Sequence, residues 1–399
     1  MIFLFITSGL FLGWTLGAND AANVFGSAVG SRMVSFTRAA VIASLFVILG
    51  AVLQGQGASD TLGRLGSVNA MGGSFTVALS AGLTVYFMTR AGLPVSTTQA
   101  IVGAIIGWDL FTKNAVDTKA LTQIVTTWVT GPLLGAAFAF LLYHLVKITR
   151  KRIRIHLLRY ETNLRAGLLV AGAFGAYSLG ANNIANVMGV FVPSVPLENT
   201  SFGLFTLTGS QQLFFLGGLA IAAGIITYSK KVMQTVGRNL LELSSEAAFV
   251  VVVSQALVLF IFSSSALSSF LGRMGLPPIP LVPVSSTQVV VGAVLGIGLY
   301  KGVRNINLRL LGSIASGWIT TPVAAGLLSF FLLFFVRNLF GVDIGHAVNP
   351  AMTTGEEPNT SMIVRYSILI LLIIIAAYLV YMVLAEKKKT DRLSRRFYE

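Results

Sequence analysis

Residues 17–26 read GANDAANVFG and residues 180–189 read GANNIANVMG, with seven of ten positions identical. Residues 94–107 read PVSTTQAIVGAIIG and residues 283–296 read PVSSTQVVVGAVLG, with nine of fourteen identical. A weaker echo, WVTGP at 128–132 against WITTP at 318–322, follows in the same order. Three blocks recurring in one order make the chain an internal duplication. The fold then depends on how two related halves assemble, and on what the repeated blocks do where they meet.

The surroundings of these blocks are apolar. Of 399 residues, 55% are hydrophobic and 11% charged, and the mean hydropathy is +0.81. Soluble chains carry about 25% charged residues, so charge cannot cover a globular surface here. Marking every Asp, Glu, Lys and Arg leaves eleven uncharged runs of at least 18 residues: 1–19, 39–59, 65–89, 91–108, 120–146, 166–197, 199–229, 247–272, 274–300, 310–336 and 366–385. A helix of about 20 apolar residues spans the hydrocarbon core. Alternating segments of about ten residues, the mark of a membrane β-barrel, are absent. The first run lacks a charged leader and continues into GANDAAN, so it reads as a spanning helix rather than a signal peptide.

The net charge of +14 follows from topology. If the chain crosses at every run, connections on one side hold 22 Lys and Arg and those on the other hold six. The positive-inside rule makes the basic side cytoplasmic, with the N-terminus outside and the C-terminus inside. The basic excess needs no nucleic-acid partner. Five runs per half is an odd number, so the halves insert with opposite topology. Inverted repeats with discontinuous helices where they meet are typical of secondary transporters. The expected fold is an all-α polytopic membrane protein of two inverted-topology repeats, with broken helices or re-entrant half-helices and about 11–12 transmembrane segments. Runs 91–108 and 274–300 are the candidates for half-segments.

The expected organisation is a first transmembrane repeat at 1–148, a basic cytoplasmic linker at 149–165 and a second, inverted repeat at 166–338. An external loop at 339–362, an extra helix at 363–385 and a basic cytoplasmic tail at 386–399 complete the chain.

The repeated blocks carry chemistry. Asp20 stands far from other charges, and its counterpart Asn183 lies in the middle of an uncharged run. Ionisable residues at membrane depth are costly and usually functional. Asn19 and Asn23 are four apart and share a helical face, and Asn182 and Asn186 repeat the spacing. Amide carbonyls, a carboxylate and freed backbone carbonyls form an oxygen cage suited to a hard cation. Helix packing through Asn and small residues is the plainer reading, but packing does not call for an acid. In PVSTTQ and PVSSTQ, Pro marks a helix start and Ser or Thr caps it. A helix beginning at Pro94 or Pro283 inside an apolar run is a broken helix whose N-terminus suits an anion. Ser96, Thr97, Thr98, Ser285, Ser286 and Thr287 add hydroxyls there. The motifs contain no Lys or Arg, so an oxyanion beside Asp20 would be prohibitive without bound cations. That physical constraint favours cation–anion symport.

The duplicated GAND-x-AN and GANN-x-AN blocks, together with PVSTTQ and PVSSTQ, resemble the inorganic phosphate transporter family, the sodium- or proton-coupled phosphate permeases. The resemblance covers most of the chain outside the linker and last helix. It implies uptake of inorganic phosphate driven by a cation gradient across the plasma (inner) membrane, in a homodimer. Carried onto this sequence, it implies a phosphate site of Asp20, Ser96, Thr97, Thr98, Asn183, Ser285, Ser286 and Thr287. It implies sodium ligands among Asn19, Asp20, Asn23, Gln99, Asn182, Asn183, Asn186 and Gln288. Many relatives carry Asp in both GAN blocks, whereas the second copy here has Asn183. Many have His after STT, where Gln99 and Gln288 stand here. No histidine lies in the motifs, which favours sodium as coupling ion over a histidine proton shuttle, although Asp20 can itself carry a proton.

Other classes fit less well. Without cysteine there is no disulfide, thiolate zinc site or Cys nucleophile. No His–Glu metal set, Ser–His pair or nucleotide loop is present, so neither an enzyme nor a cofactor is expected. A proton-coupled phosphate permease, a sulfate permease and an ion channel are the alternatives, the channel disfavoured because a charged cage at mid-depth suits occlusion. Outside the motifs, Glu242 and Glu246 beside Arg238 read as an interfacial turn, or as a gate salt bridge. Asp109 near Lys113 reads as an exposed pair, with a peripheral cation site as the alternative.

Overall fold

A computed structural model describes residues 2–30, 32–66, 68–90, 95–152, 156–195, 197–201, 206–230, 232–233, 244–302 and 308–345. Pro94, Arg238, Glu242, the run 366–385 and the basic tail lie outside the described residues. The first half contains α1 (Ile2–Gly30), α2 (Phe36–Gln54), α3 (Gln56–Gly66), α4 (Met71–Arg90), α5 (Thr97–Thr112) and α6 (Thr118–Arg152). The second contains α7 (Leu157–Met188), a two-residue antiparallel pair β1 (Thr200–Ser201) and β2 (Thr206–Leu207), and α8 (Gly209–Thr227). It continues with α9 (Ser245–Ser263), α10 (Ser265–Arg273), α11 (Ser286–Lys301) and α12 (Leu308–Phe340). The protein is an all-α polytopic membrane protein.

Eight helices among the described residues are long and apolar enough to cross a membrane: α1, α2, α4, α6, α7, α8, α9 and α12. Helices α5 and α11 have 16 residues each, about 24 Å of rise against a hydrocarbon core of about 30 Å. They occupy the two runs singled out as half-segments. Runs 39–59 and 247–272 each hold a long helix followed by a short one. The first pair is divided at Gly55 and the second at Ser264, whose extended backbone lets its side chain accept from Leu267 N. The basic segment between the halves is largely helical, since α6 runs to Arg152 and α7 begins at Leu157.

The halves interlock. Helix α1 packs on α8 while its counterpart α7 packs on α2, and α5 packs on α12 while α11 packs on α6. These helices thus use the other repeat for their closest support, whereas α4 leans chiefly on α1 and α9 on α7, each within its own repeat. Glycines at matching positions make this approach feasible. A methyl group on Gly17 would land on the backbone carbonyl of Ile221, and one on Gly180 on that of Val47. Gly103 and Gly292 sit the same way on the carbonyls of Pro322 and Pro132, inside α12 and α6. In lipid, where burying apolar surface gives helices no preference for one another, close backbone packing through small-xxx-small pairs such as Gly103/Gly107 and Gly292/Gly296 drives association. The outer faces of α6 and α12 present Val129, Leu133, Ile319 and Val323, suited to acyl chains.

Gly292→Leu should therefore cost on the order of 3 kcal/mol by overpacking. The measurement is thermal unfolding in detergent, with Gly312→Ala as control, since nothing among the described residues lies within 4 Å of a methyl added at Gly312. An unchanged Tm in Gly292→Leu would refute the close approach.

Candidate functional site

The two half-helices begin alike. Ser96 adopts extended backbone (φ −105°) and its hydroxyl accepts from Gln99 N at 3.2 Å. Ser285 does the same for α11, accepting from Gln288 N at 3.3 Å. The helices therefore start at Thr97 and Ser286, three residues after the prolines at which the sequence placed them. The serine caps define the starts because each satisfies a first-turn N–H that the helix cannot. Pro283 instead sits in an extended strap leading to the cap.

The strap is held by the GAN helix of its own repeat. Asn182 Nδ2 donates to Val282 O at 3.0 Å, and its Oδ1 accepts from Val284 N at 2.7 Å. Asn19 treats the matching strap more loosely, donating to Val95 O at 3.3 Å and to Asp20 Oδ1 at 2.9 Å. Asn182 thus spends both amide atoms on backbone.

Across the repeats the bonding is reciprocal. Thr287 Oγ1 donates to Val95 O (3.1 Å), and Thr98 Oγ1 donates to Val284 O (3.4 Å). Asn23 donates to Ser286 Oγ (3.1 Å) and Thr287 Oγ1 (3.2 Å), while Asn186 donates to Thr98 Oγ1 (2.9 Å) and Asn183 Oδ1 (2.8 Å). Ser286 Oγ donates to Asp20 Oδ2 at 2.9 Å. All fourteen residues expected for the site are buried, and Asp20 is 2% exposed. Val95 O and Val284 O belong to the same network, and motif reading misses them because it sees side chains only.

The network leaves specific atoms unused. Thr97 Oγ1, Asn183 Nδ2, Asn186 Oδ1, Gln99 Oε1 and Gln288 Oε1 are buried and find no partner among the described residues. Buried polar groups are nearly always hydrogen-bonded, so these five atoms, all within the repeated blocks, have capacity for further partners. The hydroxyl and the amide N–H are donors, as an oxyanion needs. The three amide oxygens are acceptors, as a hard cation needs.

Comparison with known proteins agrees. Residues 16–329 match the profile described as the phosphate transporter family. The chain belongs to the phosphate transporter family. A protein of Pyrococcus abyssi provisionally named a phosphate permease is 26% identical, covering 82% of this chain and 96% of its own. One from Thermococcus kodakarensis is 27% identical, covering 82% and 95%. A solved structure described as the sodium-dependent phosphate transporter has the same fold, with TM-score 0.66, 23% identity and coverage of 84% of this chain and 98% of that one.

Two acids of the transporter lie where the sequence did not put them. Asp109 does not form an exposed pair with Lys113. Its residue is 0% exposed, and both carboxylate oxygens lack a partner among the described residues. The backbone explains this: Lys113 takes a left-handed conformation (φ 59°) that ends α5, leaving its own side chain exposed, while Asp109 faces Gly66 on α3. Glu246 is no simple interfacial turn. Its carboxylate is 6% exposed and takes Lys147 Nζ and Arg150 Nη1, each at 2.7 Å, and Tyr160 OH at 2.9 Å. This cluster ties the end of α6 and the start of α7 to the start of α9. Residues about 90 apart in sequence make it, so spacing gives no sign of it.

Asp109→Asn removes a buried charge without a protein partner and should raise stability by on the order of 1 kcal/mol, read as a higher Tm in detergent. A fall in Tm would show that the carboxylate has a partner in solution.

Proposed function

We propose that this transporter imports inorganic phosphate in symport with sodium ions, by alternating access between its two repeats. The observation that carries the reading is the buried cage in which both serine-capped helix starts meet both GAN helices, with donors and acceptors left over in separate sets. In this reading phosphate lies between the starts of α5 and α11. Thr97 offers an uncommitted hydroxyl, and Thr98, Ser286 and Thr287 line the site with first-turn N–H groups beside hydroxyls that already donate to Val284 O, Asp20 and Val95 O; Ser96 and Ser285 hold the caps, and Asn183 adds its amide N–H. Sodium is held by the acceptor set, Asp20, Asn23, Asn186, Gln99 and Gln288, while Asn19 and Asn182 orient the straps.

The order of binding follows from charge. The site has one carboxylate and no cationic side chain. Phosphate arriving there alone would put several negative charges in a low-dielectric volume, at a cost of several kcal/mol per uncompensated ion. Sodium ions entering first neutralise Asp20 and make the site receptive, so phosphate does not cross without sodium. The name of the solved structure with the same fold, a sodium-dependent phosphate transporter, supports the choice of ion. Inverted repeats supply the exchange: two packings related by swapping the roles of the halves are close in energy, and each opens the site to one side. The excess of Lys and Arg on one side supports the plasma (inner) membrane with the N-terminus outside, and the family resemblance supports a homodimer.

The test is uptake of labelled phosphate into proteoliposomes with and without an inward sodium gradient, and with sulfate as competitor. Accumulation should require sodium and resist sulfate. Accumulation driven equally by a proton gradient would sink sodium coupling, and flux without accumulation would indicate a channel. Asp20→Asn makes the two GAN blocks equivalent and removes the only acid of the cage. It should lower sodium-driven uptake by at least about 100-fold, as loss of a buried charge contact of about 3 kcal/mol implies. Wild-type sodium dependence in that variant would remove Asp20 from the cation site.

A further inference from the structure

A cavity of about 910 Å³ lies beside the cage, bounded by α3, the end of α7 and the strap before α11. Gly189 and Leu281 are in its wall. Gly189 closes the second GAN block, and Leu281 precedes Val282, whose carbonyl Asn182 holds. The cavity thus adjoins the strap that Asn182 holds, on the side that carries Arg64 and Arg273, to which the charge bias assigns the exterior. Among the described residues that line it, Arg64 is the single cation and Asp60 the single acid.

These two side chains are in different states. Asp60 is engaged by Gln56, whose Nε2 donates to Oδ1 at 2.6 Å. Arg64 is exposed, and its one recorded bond is a long donation from Nη2 to Thr61 Oγ1 at 3.3 Å. No carboxylate lies within 4.0 Å of it among the described residues. A guanidinium carries five donors in a fixed fork matched to a tetrahedral oxyanion, so most of its capacity is open to the cavity. One further donor points the same way. Ser59 is 1% exposed, lines the cavity, and its hydroxyl has no partner among the described residues. Thr61 in turn donates to Leu281 O at 2.6 Å, so the residue that Arg64 touches also fastens the strap.

We propose that Arg64 and Ser59 form an encounter site for the phosphate anion, outside the cage and before it on the path. It rests on the reading of phosphate as cargo. The cage itself contains no cationic side chain to attract an anion, and a single positive charge in a walled cavity raises the local anion concentration and the capture rate. Asp60, on the same helix face one turn earlier, opposes the effect and sets its size.

The two charges give predictions of opposite sign. Arg64→Gln should raise the KM for phosphate about fivefold at low ionic strength with kcat kept, and the difference should shrink as salt screens the cavity. Arg64→Lys should restore most of the wild-type KM, and Asp60→Asn should lower KM below wild type. The measurement is initial uptake of labelled phosphate into proteoliposomes at saturating sodium, across a range of ionic strength set with a non-transported salt. An Arg64→Gln variant with wild-type KM at low salt overturns the proposal. So does a loss of kcat in Arg64→Gln and Asp60→Asn alike, which would show a structural role for the α3 turn. A wild-type protein that takes up no phosphate sinks the cargo reading and this proposal with it, and is seen before any variant is made.

Discussion

Two hydroxyl-to-carbonyl bonds hold the centre of this protein: Thr287 to Val95 and Thr98 to Val284. A chain in lipid must satisfy every backbone polar group internally, and a helix that starts inside the membrane has first-turn N–H groups and preceding carbonyls with no water to take them. Here each broken start satisfies the other. The strap before α5 accepts from the first turn of α11, and the strap before α11 accepts from the first turn of α5. Neither half can close this arrangement alone, so the repeat that looks like a duplicated unit in sequence is an obligate half in structure. The glycine-to-carbonyl packing of α1 on α8 and α7 on α2 brings the straps within reach, since a methyl at Gly17 or Gly180 would push the helices apart.

The pseudo-symmetry is broken where charge enters. Asn23 and Asn186 make matching bonds to Thr287 and Thr98. Asp20 accepts from Ser286, whereas Asn183 turns its oxygen to Asn186 and its N–H has no partner among the described residues. Unused acceptors lie in both repeats, Gln99 Oε1 in one and Asn186 Oδ1 and Gln288 Oε1 in the other, so the asymmetry rests on the single carboxylate of Asp20.

Much of this was legible in the sequence because the blocks are local. GAN-x-x-AN states its own periodicity, PVSTTQ states a cap, and uncharged runs state the solvent. All fourteen expected residues are buried together in consequence. The helix starts were misplaced by three residues because proline and serine both signal a start, and only the backbone shows which one caps. Asp109 is buried rather than exposed, and Glu246 forms a salt bridge, the alternative the sequence offers, but with partners the sequence does not name. Their surroundings are made by residues distant in the chain, Gly66 for one and Lys147, Arg150 and Tyr160 for the other. An acid at the end of an apolar run looks exposed until the neighbouring helix is in place.

The cluster around Glu246 ties the halves together away from the centre. It joins α6 of the first repeat to α7 and α9 of the second at the basic end of the molecule. At the centre the interlocked helices meet backbone to backbone at their glycines, with no room for side chains between them. Contacts at the rim face no such limit. Lys147 and Arg150 are partly exposed and can be rehydrated, while the Glu246 carboxylate is buried and depends on them. Losing those partners would leave a buried, uncompensated carboxylate, so the cluster fastens the rim where the close packing of the centre ends.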